Sequence, residues 1–130
     1  MIEILKSVPF FAQLPDKELK AISDKVIMEY YPVDYVLFSE GDTGNKMYII
    51  KTGSAQVIRG NAVVSELQAG EFFGEMALVS DEPRNATVKT TSEVELLVIK
   101  KNDFKGLLET HAQIASMVSY EVVKRANENN

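Results

Sequence analysis

Residues 70–90, GEFFGEMALVSDEPRNATVKT, hold the side chains best suited to chemistry. Gly74 precedes Glu75 and a short apolar run that reads as a single helical turn. Backbone N–H groups at such a start lack intrahelical partners and favour an anion. Gly74 lets the backbone approach a ligand closely. Pro83 stiffens the turn that delivers Arg84, whose guanidinium can meet the same anion with a two-pronged contact. Asn85 adds an amide donor, and Ala86 is small enough for a ligand or strand to pack close. Glu75 is the odd member, because a carboxylate beside a bound anion is repelled unless it faces hydrogen-bond donors. A sugar phosphate supplies both the anion and the hydroxyl donors.

The charge count narrows the anion. One arginine with neutral donors suits a phosphate carrying a single negative charge. A triphosphate would call for Lys, Mg²⁺ and a longer glycine loop, and the G-x-x-x-x-G-K-[ST] pattern is absent. A phosphodiester closed onto a sugar ring has one charge and leaves a sugar hydroxyl for Glu75. Deoxy analogues would then be rejected, since the carboxylate would lose its donor. Simpler readings compete: Arg84 in a surface pair with Asp81 or Glu82, Glu75 as an exposed first-turn acid, Asn85 as a turn cap.

Other chemistries find little support. Cysteine is absent, so disulfides, thiolate zinc sites and thiol nucleophiles are excluded. His111 is the lone histidine and is expected as a cap or surface residue between helices, whereas roll-shaped metalloenzymes gather several His ligands. No Ser-His-Asp set lies near the segment. We therefore expect no catalytic residue, no metal and no cofactor.

The surrounding chain has to position these residues. Two short helices are expected over about 1–24, with Pro15 at the first position of the second and Leu19, Ile22 and Val26 at helical spacing. From about 25 to 100, β-rich runs alternate with turn signals: VIMEYY, YVLFSE, KMYIIK, SAQVIR, AVVSEL, ATVKT and VELLVIK. Gly53 should turn one strand sharply into the next, and Arg59-Gly60-Asn61 should form a hairpin tip. Of Phe72 and Phe73, one is expected in the core and one at an edge. Helices return over about 101–127: a short one near Asp103–Glu109, with Gly106 as its weak point, and a longer one over about 112–126. The expected fold is mainly β, an antiparallel jelly-roll-like β-roll flanked by N-terminal helices and two C-terminal helices, as one domain over 1–130.

Composition agrees with an ordinary globular chain. It has 130 residues, 45% of them hydrophobic and 25% charged. The net charge of −5 is dispersed, which argues against a nucleic-acid surface. No apolar run is long enough to span a membrane, and MIEILKSVPFF lacks the marks of a signal peptide. A cytoplasmic location suits the lack of cysteine.

Gly74-Glu75-Met76-Ala77-Leu78, followed by Pro83-Arg84-Asn85-Ala86-Thr87-Val88, resembles the phosphate-binding cassette of cyclic nucleotide-binding domains. Such domains occur in catabolite activator proteins, protein kinase A regulatory subunits and cyclic-nucleotide-gated channels. The resemblance covers nearly the whole chain, through Phe10-Phe11 with Leu14, Glu40-Gly41-Asp42, Tyr48-Ile49, Gly53 and the helices after Val98. It implies a non-catalytic sensor of a small-molecule cyclic nucleotide, cAMP ahead of cGMP. Glu75 would hold the ribose 2′-hydroxyl and Arg84 the cyclic phosphate, with the backbone of Gly74, Met76 and Ala77 along the sugar-phosphate. Asn85 stands where family members usually carry Ala, Ser or Thr, so its amide could reach the phosphate or the base. Val57 and Val64 would wall the purine, and Arg125 would cap it from the last helix. That helix would act as a lid, and its second apolar edge could support a homodimer. The output would lie in an effector protein or an effector domain outside these residues. The rival readings are an orphan module of the same fold that serves protein contacts, a transcription regulator of the catabolite-activator type, and a cupin-like enzyme.

Overall fold

The computed structural model describes residues 2–8, 11–12, 14–78, 81–112 and 116, with the Glu75 side chain outside that set. Two compact units form. Ile27–Lys101 holds the strands, and the described residues within Met1–Val26 and Asn102–Asn130 belong to the other.

In the helical unit, α1 is Ile2–Lys6, α2 is Asp16–Ser23 and α3 is Lys101–Thr110. Pro15 sits one position earlier than expected. It is the N-cap of α2, with φ −61° and an extended ψ of 156°, and its carbonyl accepts the first bonds from Glu18 and Leu19. Proline's fixed φ suits either position, so only the ψ separates them. Leu5, Leu19, Ile22, Phe104 and Leu107 are buried, and the rings of Phe11 and Phe104 meet at 6.3 Å. Val26 lies beyond the end of α2 and donates to Ser23 O. α3 runs through Gly106 without interruption. Ala112 and Ser116 are helical; the rest of the expected 112–126 helix, including Arg125, lies outside the described residues, as does Phe10.

The second unit is the expected antiparallel β-roll. Its strands are β1 Ile27–Tyr31, β2 Val36–Phe38, β3 Lys46–Thr52, β4 Ala55–Arg59, β5 Ala62–Leu67, β6 Phe72–Phe73, β7 Thr87–Thr90 and β8 Val94–Lys100. They form two four-stranded sheets, ordered β1-β8-β3-β6 and β2-β7-β4-β5, with every pairing antiparallel. The strand period of two sends Tyr48, Ile50, Leu96, Val98 and Phe73 of one sheet against Ala55, Leu67 and Val88 of the other. Met47, Ile49, Leu97 and Ile99, on the opposite face of β3 and β8, are also fully buried. Strands buried on both faces read as continuous apolar runs, which is why KMYIIK and VELLVIK lack alternation.

The turns follow their residue chemistry. Gly60 and Asn61 join β4 to β5 as a two-residue hairpin, with Gly60 at φ +60°. The β1–β2 turn is anchored from β7 by Thr90, a fully buried polar residue. Its hydroxyl donates to Pro32 O at 2.6 Å and accepts from Tyr35 N–H at 2.9 Å, while its carbonyl accepts from Asp34 N–H. Thr90→Val keeps the shape and removes both side-chain bonds, those to the part-buried Tyr35 N–H and Pro32 carbonyl. It should cost about 1–3 kcal/mol in urea unfolding.

A polar network lies on the inner face. Tyr31 Oη donates to Glu29 Oε1 at 2.8 Å, and Lys46 Nζ lies 3.6 Å from Glu29 Oε2. Burial, then the bond to Glu29 and its negative charge, raise the Tyr31 hydroxyl well above the ordinary tyrosine value of 10.0. Burial likewise raises Tyr48, partly opposed by Arg84. A group whose pKa is raised in the folded state stabilises fully below its unfolded value and loses that contribution as pH climbs past it. The denaturation midpoint should therefore fall above pH 10.0, and Tyr31→Phe should make that alkaline fall shallower. Urea titrations at pH 8 to 11 would check it; an unchanged slope in the variant would refute the assignment.

Candidate functional site

Residues 74–86 connect β6 to β7. Gly74 takes φ +74°, and Glu75–Leu78 then forms one 3-10 turn, as the sequence suggested. Ala77 N–H donates to Gly74 O at 3.2 Å, so this amide is already engaged within the turn. Met76 is half-buried, while Ala77 and Leu78 are buried. Glu75 occupies the first position of the turn; its side chain lies outside the described residues.

Arg84 is tied at both ends. Its backbone N–H donates to Asp42 O at 2.7 Å, and its carbonyl accepts from Gly41 N–H at 2.8 Å. The neighbouring residue, Pro83, bridges Thr43. The β2–β3 loop thereby grips the chain on either side of the arginine. That loop is itself braced: Asp42 Oδ2 accepts from Ser39 N–H, and Glu40 Oε1 accepts from Gly60 N–H.

The guanidinium lies half-buried in a seat made largely of main chain. Nη1 donates to Gly74 O at 3.0 Å and Nη2 to Lys46 O at 2.8 Å. Its central carbon stands 4.0 Å from the centroid of Phe38. Phe38 in turn lies 6.0 Å from both Tyr48 and Phe73, which stack on one another at 5.0 Å. Charge-assisted bonds and a cation–π contact therefore fix the plane and height of the positive charge. Two glycines make room for it. A Cβ on Gly74 would stand 2.6 Å from Nη1, and one on Gly44 would collide with Nε.

Among the other residues singled out from the sequence, Asn85 is exposed and Ala86 buried at the entry to β7. Val57 is half-buried, packed against the core and paired with Val88. Val64 is 52% exposed on β5, next to Ser65, the residue opposite Val57. Arg84, Gly74 and Ala77 are thus brought together, with Asn85 and Ala86 following the arginine; Arg125 lies outside the described residues. Asp81 pairs with Lys101. His111 caps α3: its N–H donates to Leu107 O, and Nδ1 contacts Thr110 Oγ1 at 2.7 Å. Gly44, Lys46 and Phe38 were not singled out by sequence reasoning. A glycine between two strand-forming runs reads only as a turn residue, and Lys46 contributes a carbonyl, which leaves no residue-type signal. Among the described residues no group of three or more His, Cys, Asp or Glu gathers as a metal site, and no helix is long and apolar enough to cross a membrane.

The family model of the cyclic nucleotide-binding domain matches residues 28–111, which include the whole cassette and its β2–β3 brace. The chain belongs to this family. The domain is 38% identical over 107 residues to a cAMP-dependent protein kinase regulatory subunit of Eremothecium gossypii, covering 82% of this chain and 23% of that protein. It is 34% identical over 123 residues to a cyclic nucleotide-gated potassium channel of Mesorhizobium japonicum, covering 95% of this chain and 34% of the channel. The chain thus spans about a quarter to a third of these relatives. Among solved structures, the N-terminal domain of a transcriptional regulator from Streptomyces coelicolor A3(2) superposes with a TM-score of 0.88 at 25% identity, covering 98% of this chain and 92% of that one. The catabolite activator protein of Thermus thermophilus shares the fold, with a TM-score of 0.82 at 24% identity over 94% of this chain and 60% of its own.

Proposed function

We propose that residues 1–130 act as one non-catalytic sensor module that binds a cyclic nucleotide in the 74–86 cassette, with cAMP preferred to cGMP. The seat of Arg84 carries this reading. A guanidinium held by two main-chain carbonyls and an aromatic ring is a pre-oriented receptor for one phosphate charge. The preference for cAMP is supported by relatives named as cAMP-dependent kinase regulatory subunits.

In this reading Arg84 takes the cyclic phosphate and Glu75 the ribose 2′-hydroxyl. The main chain of Gly74, Met76 and Ala77 lines the sugar-phosphate, and Ala86 leaves room beside it. Asn85 reaches the phosphate or the base edge, Val57 and Val64 wall the purine, and Arg125 caps it. Closure of the 112–126 segment over the ligand is the output, and the closure gained equals the ligand's differential affinity for the closed state. A cytoplasmic effector protein, or a domain outside these residues, receives that output, with dimerisation through the last helix as a second route.

Calorimetric titration with cAMP and cGMP tests the reading. Saturable one-to-one binding, tighter for cAMP, is expected. A 100-fold excess over Kd should add roughly 2.7 kcal/mol of stability in a thermal-shift assay. No binding and no shift with either nucleotide would make the roll an orphan module; tighter binding of cGMP would overturn the base preference alone.

A further inference from the structure

The roll carries a concave feature away from the cassette. A cavity of about 440 Å³ is lined by Tyr30, Tyr31, Pro32, Thr52, Glu93, Val94 and Glu95. It lies at the opposite end of the strands from the cassette. β3 begins at Lys46, whose carbonyl holds Arg84, and ends at Thr52 in the cavity wall. At about 3.3 Å per residue these ends stand roughly 20 Å apart.

Its lining combines an aromatic face with carboxylates. Tyr30 pairs with Glu95 across β1 and β8, which sets ring and carboxylate side by side on one sheet face. Tyr30 is 67% exposed, an unusual position for a large aromatic ring on a strand. Glu93 stands on the rim, exposed, with no cation within ion-pair distance among the described residues. Glu95 shares its charge with Lys51 at 3.8 Å.

The rims are braced. Ser54 N–H donates to Ser92 Oγ at 3.0 Å, Thr91 N–H donates to Ser54 O, and the Ser54 and Thr91 hydroxyls meet at 2.7 Å. These bonds lock the β3–β4 turn to the β7–β8 turn. Thr90 fixes the β1–β2 turn on the other side. A cavity with fixed walls takes an occupant with little ordering cost.

The chemistry selects that occupant. An anion would be repelled by Glu93 and Glu95, and a purely apolar group would leave the Glu93 carboxylate without a partner. A cation is attracted both by the carboxylates and by the face of Tyr30. A planar guanidinium can stack on the ring while its fork meets a carboxylate, which an ammonium cannot do. We propose that this end of the roll is a docking pocket for an arginine side chain presented by a partner protein.

The test uses the whole 130-residue chain, labelled for NMR, and three peptides: acetyl-Gly-Arg-Gly-amide and its Lys and Gln counterparts. The arginine peptide should give saturable shifts at the amides of Tyr30, Thr52, Glu93 and Glu95, the lysine peptide weaker ones, and the glutamine peptide none. Glu93→Gln and Tyr30→Leu, each checked for an unchanged spectrum elsewhere, should weaken arginine binding roughly tenfold. Absence of saturable shifts, equal shifts with glutamine, or full binding in Glu93→Gln would overturn the pocket. Equal affinity for lysine would overturn the guanidinium assignment. No nucleotide is present, so either outcome leaves the cassette reading standing or falling on its own titration.

Discussion

Arg84→Ala should reduce cyclic nucleotide affinity by about 2–5 kcal/mol, tens- to thousands-fold, as for other desolvated charge pairs that lose one partner. The size follows from how the guanidinium is held. Both terminal nitrogens rest on main-chain carbonyls, Gly74 O and Lys46 O, and Phe38 supports the plane from one side. A ligand phosphate therefore meets a charge already oriented, and little ordering cost is subtracted from the contact. Arg84→Lys retains the charge but replaces the planar fork with a point cation, so it should fall between wild type and alanine. Part of any loss in the alanine variant could come from loosening of the seat. Gly74 O keeps its bond from Ala77 N–H, which limits that effect. Calorimetry on variants whose unfolding midpoints have been measured separates the two contributions. Wild-type affinity in a folded Arg84→Ala protein would remove the phosphate role from this residue.

Gly53→Ala should destabilise the fold by about 2–5 kcal/mol, from two causes that a second glycine can separate. Gly53 has φ +97°, a conformation that L-residues with side chains rarely adopt. A Cβ there would also strike Glu93 O and come within 2.8 Å of Val94 Cγ1 and 2.9 Å of Ser92 Oγ. A backbone carbonyl cannot rotate away as a side chain can. Gly70 has a similar φ of +90° but nothing within 4 Å of its would-be Cβ. Gly70→Ala should therefore show the conformational cost alone, about 1–2 kcal/mol. Chemical denaturation of both variants gives the difference directly. Equal losses would mean that the β7–β8 turn yields at little cost.

Much of the roll was legible from local pattern. Seven strands showed as β-rich runs separated by turn signals, and each matches a strand to within a residue or two at its ends. β6 was not, because two residues carry no period. Phe72–Phe73 is a strand only because Tyr48 and Ile49 of β3 lie alongside. Its division into one buried and one half-buried ring did follow from the pattern. Within the cassette, the helical turn after Gly74 and the prominence of Arg84 could be read from residue type. The seat could not. The reason for a glycine at position 44 lies forty residues along the chain, in the space taken by the Arg84 side chain. The carbonyls that accept its protons belong to Gly74 and Lys46, and a carbonyl is common to every residue. Phe38 reads as one more apolar strand residue until the fold places it beneath a cation.

The strand order has a kinetic consequence. β8 lies between β1 and β3, pairing Ile27 with Val98 and Lys46 with Lys100, although both neighbours precede it in the chain. Such long-range pairings close large loops before any contact repays the entropy, and folds dominated by them assemble in milliseconds to seconds rather than microseconds. On a growing chain, β1 and β3 emerge with apolar edges and wait for their shared neighbour. Until β8 arrives, those edges are open to pairing with other chains. The aggregation risk of this protein should therefore be concentrated in the interval before residues 94–100 are made, and substitutions that weaken β8 should lower the yield of soluble protein more than equally destabilising changes in β5.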